Sequence, residues 1–390
     1  MTIFFWISIF IIVYTFLGYG ILLYLMIHVR RLVKGKRIIP NPAENELPTC
    51  TLVVAAYNEE GFISEKIANT LALNYPKHKL KLLFVTDGSS DKTPELISQY
   101  PEITLLHQPE RNGKIAAVHR AVEQVDTEII VFTDANTFLN DNALLCICRH
   151  YADPKVGAVA GEKRVFIDKE ADASAAGEGF YWKYESKLKK WDSELYSVVG
   201  AAGELFSVRK QLYQPVSPDS ILDDFMISMR IAEQGYRIIY EPEAYATETA
   251  SENVTEELKR KVRIAAGGIQ SVIWLSSLLN IFKYGVLSFQ YISHRVLRWT
   301  LTPSLILLVF VLNIILAVQT NDILYEGMLA AQLLFYILAG LGYLLETKHL
   351  RVKILFIPYY FCVMNYAVLA GTVRYFRNEQ SSSWEKSKRK

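Results

Sequence analysis

Cys50-Thr51-Leu52-Val53-Val54-Ala55-Ala56-Tyr57-Asn58-Glu59-Glu60 is a short uncharged run that stops in a polar tip. A run of this length without polar alternation predicts a strand buried on both faces. The same pattern repeats downstream. A helical pattern follows to about Leu73, and Leu80–Val85 reads as a second strand, ending in Thr86-Asp87-Gly88-Ser89-Ser90-Asp91. Lys92-Thr93-Pro94-Glu95 opens a helix with proline in its first turn. Ile103–His107 is a third strand, Ile115–Val125 a helix, and Glu128–Thr133 a fourth strand that ends in Asp134-Ala135-Asn136. Strand, polar loop and helix in repetition over residues 45–265 predict an α/β domain with a mostly parallel, Rossmann-like sheet. Ligands of such sheets bind beyond the carboxyl ends of the strands, where these polar tips lie.

The rest of the chain is of another kind. Its 390 residues are 51% hydrophobic with a formal net charge of +2. That charge gives no argument for nucleic acid, while the apolar excess predicts membrane segments. Ile3–Ile27 carries no charge and is long enough for a tilted span. No basic residue precedes it, and Tyr14, Tyr19 and Tyr24 run through it, which favours an anchor over a cleaved signal peptide. His28, Arg30, Arg31, Lys34, Lys36 and Arg37 follow at once, which puts the N-terminus outside and the next domain in the cytoplasm.

The expected organisation is an anchor over 1–28, the α/β domain over 45–265, interfacial amphipathic helices over 266–298, about three spans within 299–373, and a basic tail over 374–390. The interfacial reading comes from Lys283, His294, Arg295 and Arg298, which break an otherwise apolar stretch. The spans are Trp299–Val318, Gly327–Leu345 and Ile354–Val373. Three spans put the tail outside, yet Arg374, Arg377, Lys386, Lys388, Arg389 and Lys390 favour the cytoplasmic side. Either the last run does not fully cross, or there is one span more. The four cysteines, Cys50, Cys146, Cys148 and Cys362, show no CxxC spacing, so reduced thiols are expected rather than a zinc site or disulfide framework.

Three carboxylate positions stand out among the tips. Asp87 in its Gly-Ser-Ser turn is either a ligand for a base or ribose or a turn-and-cap aspartate. Asp134 and Asn136 leave a strand two residues apart, so they can face one hard cation such as Mg2+ or Mn2+, or simply open a loop. Asp223-Asp224 precedes a helix over Phe225–Gln234. One of the pair can be its N-cap, or the two together can raise one pKa toward that of a working base. Basic groups complete the set. Arg111-Asn112-Gly113-Lys114 precedes a helix and suits phosphate. Lys259, Arg260, Lys261 and Arg263 suit a diphosphate or an anionic membrane surface. Gly200-Ala201-Ala202-Gly203 lets backbone approach a substrate closely.

In order, these motifs resemble family 2 glycosyltransferases of the GT-A fold, and among them the membrane-bound branch of poly-N-acetylglucosamine, chitin-oligosaccharide and hyaluronan synthases. Ala55–Glu60 looks like that family's opening strand motif, Asp87–Asp91 its second and Asn112-Gly113-Lys114 its third. Asp134-Ala135-Asn136 stands at its Asp-x-Asp and Gly200–Gly203 at its acceptor-side loop. Leu222-Asp223-Asp224 stands at its Glu-Asp, and Gly235-Tyr236-Arg237 through Glu241-Pro242-Glu243-Ala244 fits the strand that follows. The resemblance implies that Tyr57 and Asp87 hold the uracil end of a UDP-sugar. It further implies that Lys114 sits near the nucleotide, with Glu59, Gly203, Asp223, Arg260 and Arg263 beside the substrates. Asp134 and Asn136 then bind Mg2+ or Mn2+, and Asp224 is the general base for an inverting displacement.

Two departures from the family pattern matter. Its last metal-binding aspartate is Asn136 here, a weaker ligand. Its processive members carry Gln-x-x-Arg-Trp where this chain has Arg260-Lys261-Val262-Arg263-Ile264. The expected function is therefore transfer of one or a few sugars to a glycan or lipid-linked acceptor at the cytoplasmic face of the cell membrane, with processive polysaccharide synthesis as the alternative. A nucleotide-binding membrane transporter or receptor is the non-enzyme rival. It is disfavoured because transporters place paired polar groups within their spans, and these spans are almost free of charge.

Overall fold

A computed structural model of the chain describes residues 1–166, 174–249, 254–347 and 352–380. Lys386, Lys388, Arg389 and Lys390 of the basic tail lie outside the described residues. The middle of the chain builds one eight-stranded sheet, in the order β3-β2-β1-β4-β7-β6-β8-β5. The strands are β1 Cys50–Ala56, β2 Leu80–Asp87, β3 Ile103–Gln108, β4 Ile129–Asp134, β5 Phe138–Leu139, β6 Val156–Phe166, β7 Leu205–Arg209 and β8 Arg237–Thr249. β3, β2, β1 and β4 are mutually parallel, as the sequence predicts. Beyond them the sheet is mixed. β7 runs antiparallel to β4 and β6, β6 is parallel to β8, and β5 is antiparallel to β8.

Alternation along each strand feeds two cores. Val53, Val85, Ile130 and Phe132 face helices Lys114–Glu123 and Asp223–Glu233. Leu52, Val54, Phe84 and Val131 face helices Ile63–Leu71 and Ala143–Cys148. Each such side chain contributes about 1.5–3 kcal/mol by leaving water. The four cysteines are free thiols, three of them buried.

Among the described residues, four helices are long and apolar enough to cross a membrane: Thr2–Lys34, Leu301–Thr320, Ile323–Glu346 and Ile354–Phe376. The first contains a π-turn at Tyr14–Gly18 and continues well past Ile27, and its second half lies along helix Ser174–Leu195 of the α/β domain. There Tyr184 donates a hydrogen bond to the Phe16 carbonyl at 2.9 Å, and Arg31 meets Glu194 at 2.6 Å. Its far end packs on the second and third helices, with Phe5 edge-on to Tyr325 at 5.6 Å.

Helix Val254–Trp274 runs unbroken through the boundary expected at 265/266. After it come several short helical turns up to Trp299. Their surface is apolar at the tip, where Phe282 is 99% exposed beside Ile281 and Val286. The last apolar helix, which starts at Lys353, packs along Val254–Trp274. At Gly371 a Cβ would meet the Val262 carbonyl oxygen at 2.6 Å and the Ala265 Cβ at 2.7 Å, so only glycine allows this approach. This contact holds the end of the helix, with Arg374 and Arg377 just beyond it, against the α/β domain.

Candidate active site

The polar tips of β1, β2 and β4 open into one cavity of about 480 Å³. Most residues singled out from the sequence line it: Tyr57, Glu59, Asp87, Lys114, Asp134, Asn136, Gly203, Asp223, Asp224, Arg260 and Arg263. Lys259 does not.

At one end, Arg111 lies over the Tyr57 ring at 4.1 Å, a cation–aromatic pair with a flat face for a planar ligand. Asp87 Oδ2 accepts hydrogen bonds from the backbone N–H groups of Asn112 at 2.8 Å and Gly113 at 2.6 Å. The carboxylate thus fixes the loop that delivers Lys114. Its other oxygen, Oδ1, is buried and accepts no hydrogen bond, with Arg120 at 3.5 Å. Asp87 is therefore a buried anchor for the 112–114 loop, with Arg120 beside its second oxygen.

At the centre, Lys114 Nζ meets Asp134 Oδ1 at 2.6 Å. Burial disfavours the Lys114 ammonium, but Asp134, Asp223 and Asp224 outweigh it and hold its pKa above the ordinary lysine value. Asp224 is shifted the other way. Burial, reinforced by Asp223 and opposed by Lys114, pushes its carboxyl up to about 7. Below the strand end, buried Lys66 donates to Thr133 Oγ1 at 3.2 Å and to the Thr137 carbonyl at 2.6 Å, which braces the loop that carries Asp134 and Asn136.

The helix that starts at Asp223 corrects one reading. Its N-cap is Leu222, at φ −120° and ψ 80°, and no side chain caps it. Asp223 and Asp224 occupy its first turn instead, where carboxylates are favoured by the exposed N–H groups. Asp224 Oδ1 accepts from the Phe225 N–H at 2.8 Å. The glycine loop is fitted to this turn. Gly200, at φ +86°, lies so close that a Cβ would meet the Phe225 ring at 2.1 Å, and a Cβ on Gly203 would sit 3.3 Å from Asp224 Oδ2.

Arg260 reaches the cavity wall but is engaged by Glu248 at 3.4 Å and Glu257 at 3.3 Å. It is therefore a partly neutralised cation, less suited to a diphosphate than the sequence suggested. Arg263 donates to the Ile221 carbonyl at 3.2 Å and feels the charges of Asp223 and Asp224. Among the described residues no group of three His, Cys, Asp or Glu side chains could hold a metal ion. Asp134 and Asn136 supply two hard oxygen donors, which fits a divalent ion whose remaining ligands come from a bound diphosphate and water.

The sequence reading missed a second set of lining residues: Lys163, Glu185, Lys189, Arg295, Trp299 and Met364. Glu185 and Lys189 stand on helix Ser174–Leu195 at a spacing that reads as a solvated face. Trp299 read as the first residue of a span. In the structure it meets Phe225 edge-on at 5.3 Å and lines the cavity.

Residues 51–216 match the family described as glycosyl transferase family 2. These residues are a family 2 glycosyltransferase domain. The chain is 30% identical over 239 residues to a poly-beta-1,6-N-acetyl-D-glucosamine synthase of Staphylococcus aureus, an alignment covering 59% of this chain and 57% of that protein. It is 26% identical over 228 residues to the synthase of the same name from Staphylococcus epidermidis, covering 56% and 54%. The chain thus spans somewhat more than half the length of these curated relatives. A mannosyltransferase from Pyrobaculum calidifontis, solved with GDP-Man and Mn2+, superposes with a TM-score of 0.72 over 97% of this chain and 100% of that one, at 22% identity. The family 2 domain and its apolar helices therefore share a GT-A architecture with a solved enzyme.

Proposed function

We propose that this family 2 glycosyltransferase moves a sugar from a UDP-sugar to a hydroxyl of a glycan or lipid-linked acceptor, with inversion, at the cytoplasmic face of the cell membrane. The observation that carries the reading is the placement of Asp224, whose carboxyl is raised to about 7, in one cavity with the Lys114–Asp134 pair. A base with this pKa is ionised for part of its population at neutral pH and still takes up a proton readily.

In the step, the acceptor oxygen bonds to the anomeric carbon as the bond from that carbon to the phosphate oxygen breaks. The acceptor proton passes to Asp224, and the nucleoside diphosphate leaves with the bonding pair. Tyr57 with Arg111, and Asp87 beside them, suit the base and ribose. Lys114 and Arg263 suit the growing charge on the diphosphate. Asp134 and Asn136 would hold a divalent cation, which when bound would add further compensation of that charge. Mg2+ and Mn2+ both suit these oxygen donors, and the solved mannosyltransferase carries Mn2+. The names of the curated relatives favour a second reading, in which the addition is repeated to build a polysaccharide.

The test is a transfer assay on membranes holding the full chain, with labelled UDP-N-acetylglucosamine, UDP-glucose and GDP-mannose, each with Mg2+ or Mn2+. Transfer from a UDP-sugar that is lost in Asp224→Asn supports the reading. Transfer from GDP-mannose alone overturns the donor, and unchanged turnover in Asp224→Asn overturns the base.

A further inference from the structure

Among the described residues there are two π-turns, Tyr14–Gly18 in the N-terminal helix and Ile292–Val296 just before Trp299. They meet, with Tyr14 Oη and Ser293 Oγ 2.8 Å apart. Such turns are rare and concentrate at functional sites. The second one sends two neighbouring side chains to different places. His294 is fully buried, and each nitrogen of its ring faces a carboxylate oxygen, Asp192 Oδ2 at 2.5 Å and Glu185 Oε1 at 3.1 Å. Arg295 lines the cavity. The N-terminal helix completes the buried group. Its Tyr19 donates to Asp192 Oδ1, which also accepts from Gln290 Nε2 at 3.1 Å.

Glu185 joins this group to the cavity. Its Oε1 meets Arg295 at 3.1 Å and its Oε2 meets Arg298 at 2.9 Å. Arg295 Nε in turn donates to the Val199 carbonyl at 3.3 Å, at the start of the glycine loop. The other side of that loop is held by the Ala201 N–H, which donates at 3.0 Å to Ser228 Oγ on the helix that carries Asp224. The loop that lies against the base thus has one anchor on the base's own helix and one on Arg295. Polar contacts run without a break from Tyr19, on a helix apolar enough to cross a membrane, to the Val199 carbonyl. In a buried network each partner fixes the next, and removing one leaves another unpaired. The donor end is held separately, by Asp87 on the 112–114 loop and by Lys114 on Asp134.

We propose, building on the glycosyltransferase reading, that Tyr19 of the N-terminal helix is a positioning residue for sugar transfer: through Asp192, His294 and Glu185 it sets Arg295, and Arg295 sets the glycine loop against Asp224. The rate of transfer then depends on this tyrosine, while nucleotide binding does not.

The test uses the full-length protein in membranes, with labelled UDP-N-acetylglucosamine, UDP-glucose and GDP-mannose as donors and a titration with UDP or GDP to match. Rates are expressed per nucleotide-binding site, so that any unfolded fraction drops out. Tyr19→Phe removes a single oxygen. It lowers kcat about fivefold, the scale of one hydrogen bond, and leaves nucleotide affinity at the wild-type value. Arg295→Lys keeps a charge for Glu185 but has no Nε–H for the Val199 carbonyl, and it lowers kcat by at least as much. The double variant is no slower than Arg295→Lys alone, because Tyr19 acts through Arg295. A tyrosine with a merely structural role shows no such dependence. Unchanged kcat in Tyr19→Phe, additive losses in the double variant, or nucleotide affinity that falls in step with kcat overturns the proposal. The two levels separate in the wild type. A protein that transfers sugar equally well with and without the Tyr19 hydroxyl loses only this inference, while one that binds neither nucleotide and transfers from none of the three donors loses the glycosyltransferase reading on which it rests.

Discussion

Lys114 and Asp224 oppose one another across the cavity: the ammonium pairs with Asp134 at 2.6 Å and at the same time lowers the pKa that burial raises at Asp224. Replacing Lys114 by Met removes that opposition. The acidic limb of the pH–rate profile then moves upward by about one pH unit, and nucleotide binding weakens by about 2 kcal/mol. Steady-state rates between pH 5 and 9, with a UDP titration, measure both effects.

Asp224→Asn lowers the transfer rate by about 10²–10⁴, the usual worth of a positioned base, with UDP affinity nearly unchanged. In the wild type, kcat/KM rises as pH passes upward through about 7, where this carboxyl ionises.

The same group affects stability with a definite sign. Its folded pKa lies above the ordinary carboxyl value, so the folded state binds the extra proton. That contribution is fully present below about pH 4 and is lost as pH rises through about 7. Asp224→Asn therefore melts higher than wild type at pH 8, by about 1–2 kcal/mol after allowing for the solvent in the cavity, and close to wild type at pH 4. Thermal unfolding at the two pH values checks the crossover.

Asn136→Asp adds a charged oxygen two residues after Asp134. Divalent cations then support UDP binding at about tenfold lower concentration, an effect read from Mg2+ and Mn2+ titrations at fixed UDP. No change places the cation elsewhere.

Asp87→Ala releases the backbone N–H groups of Asn112 and Gly113. Two charge-assisted hydrogen bonds from an exposed loop to a buried carboxylate disappear, at a cost of about 2–4 kcal/mol in stability, and the delivery of Lys114 loosens. Unfolding and UDP affinity both fall, and Asp87→Asn recovers part of each.

The strand tips were legible because a parallel sheet turns an uncharged run and its polar end directly into a position. Asp87, Asp134 and Lys114 could be placed from the order of runs alone. The acidic pair was legible as a pair but not in its place, because Leu222 is the N-cap and both aspartates fall in the first turn. The far wall was illegible for a different reason. Glu185, Lys189, Arg295 and Met364 come from three helices remote in sequence, and only packing brings them together. Nothing in a helical Glu-Lys spacing distinguishes a solvated face from a cavity wall. The last apolar run was ambiguous on charge alone, and the close approach at Gly371 lays its end against helix Val254–Trp274, a contact that charge does not reveal.

The N-terminal helix does more than tether. Tyr19 reaches Asp192, whose other oxygen faces His294 Nδ1 at 2.5 Å, and His294 Nε2 faces Glu185 at 3.1 Å. Clipping the chain at residue 45 to obtain a handy soluble fragment takes the tyrosine from a sealed acidic site and floods it with solvent. Crystallographers and screeners should expect such fragments to come out of cells as inclusion bodies, and should plan around the intact polypeptide in detergent or nanodiscs.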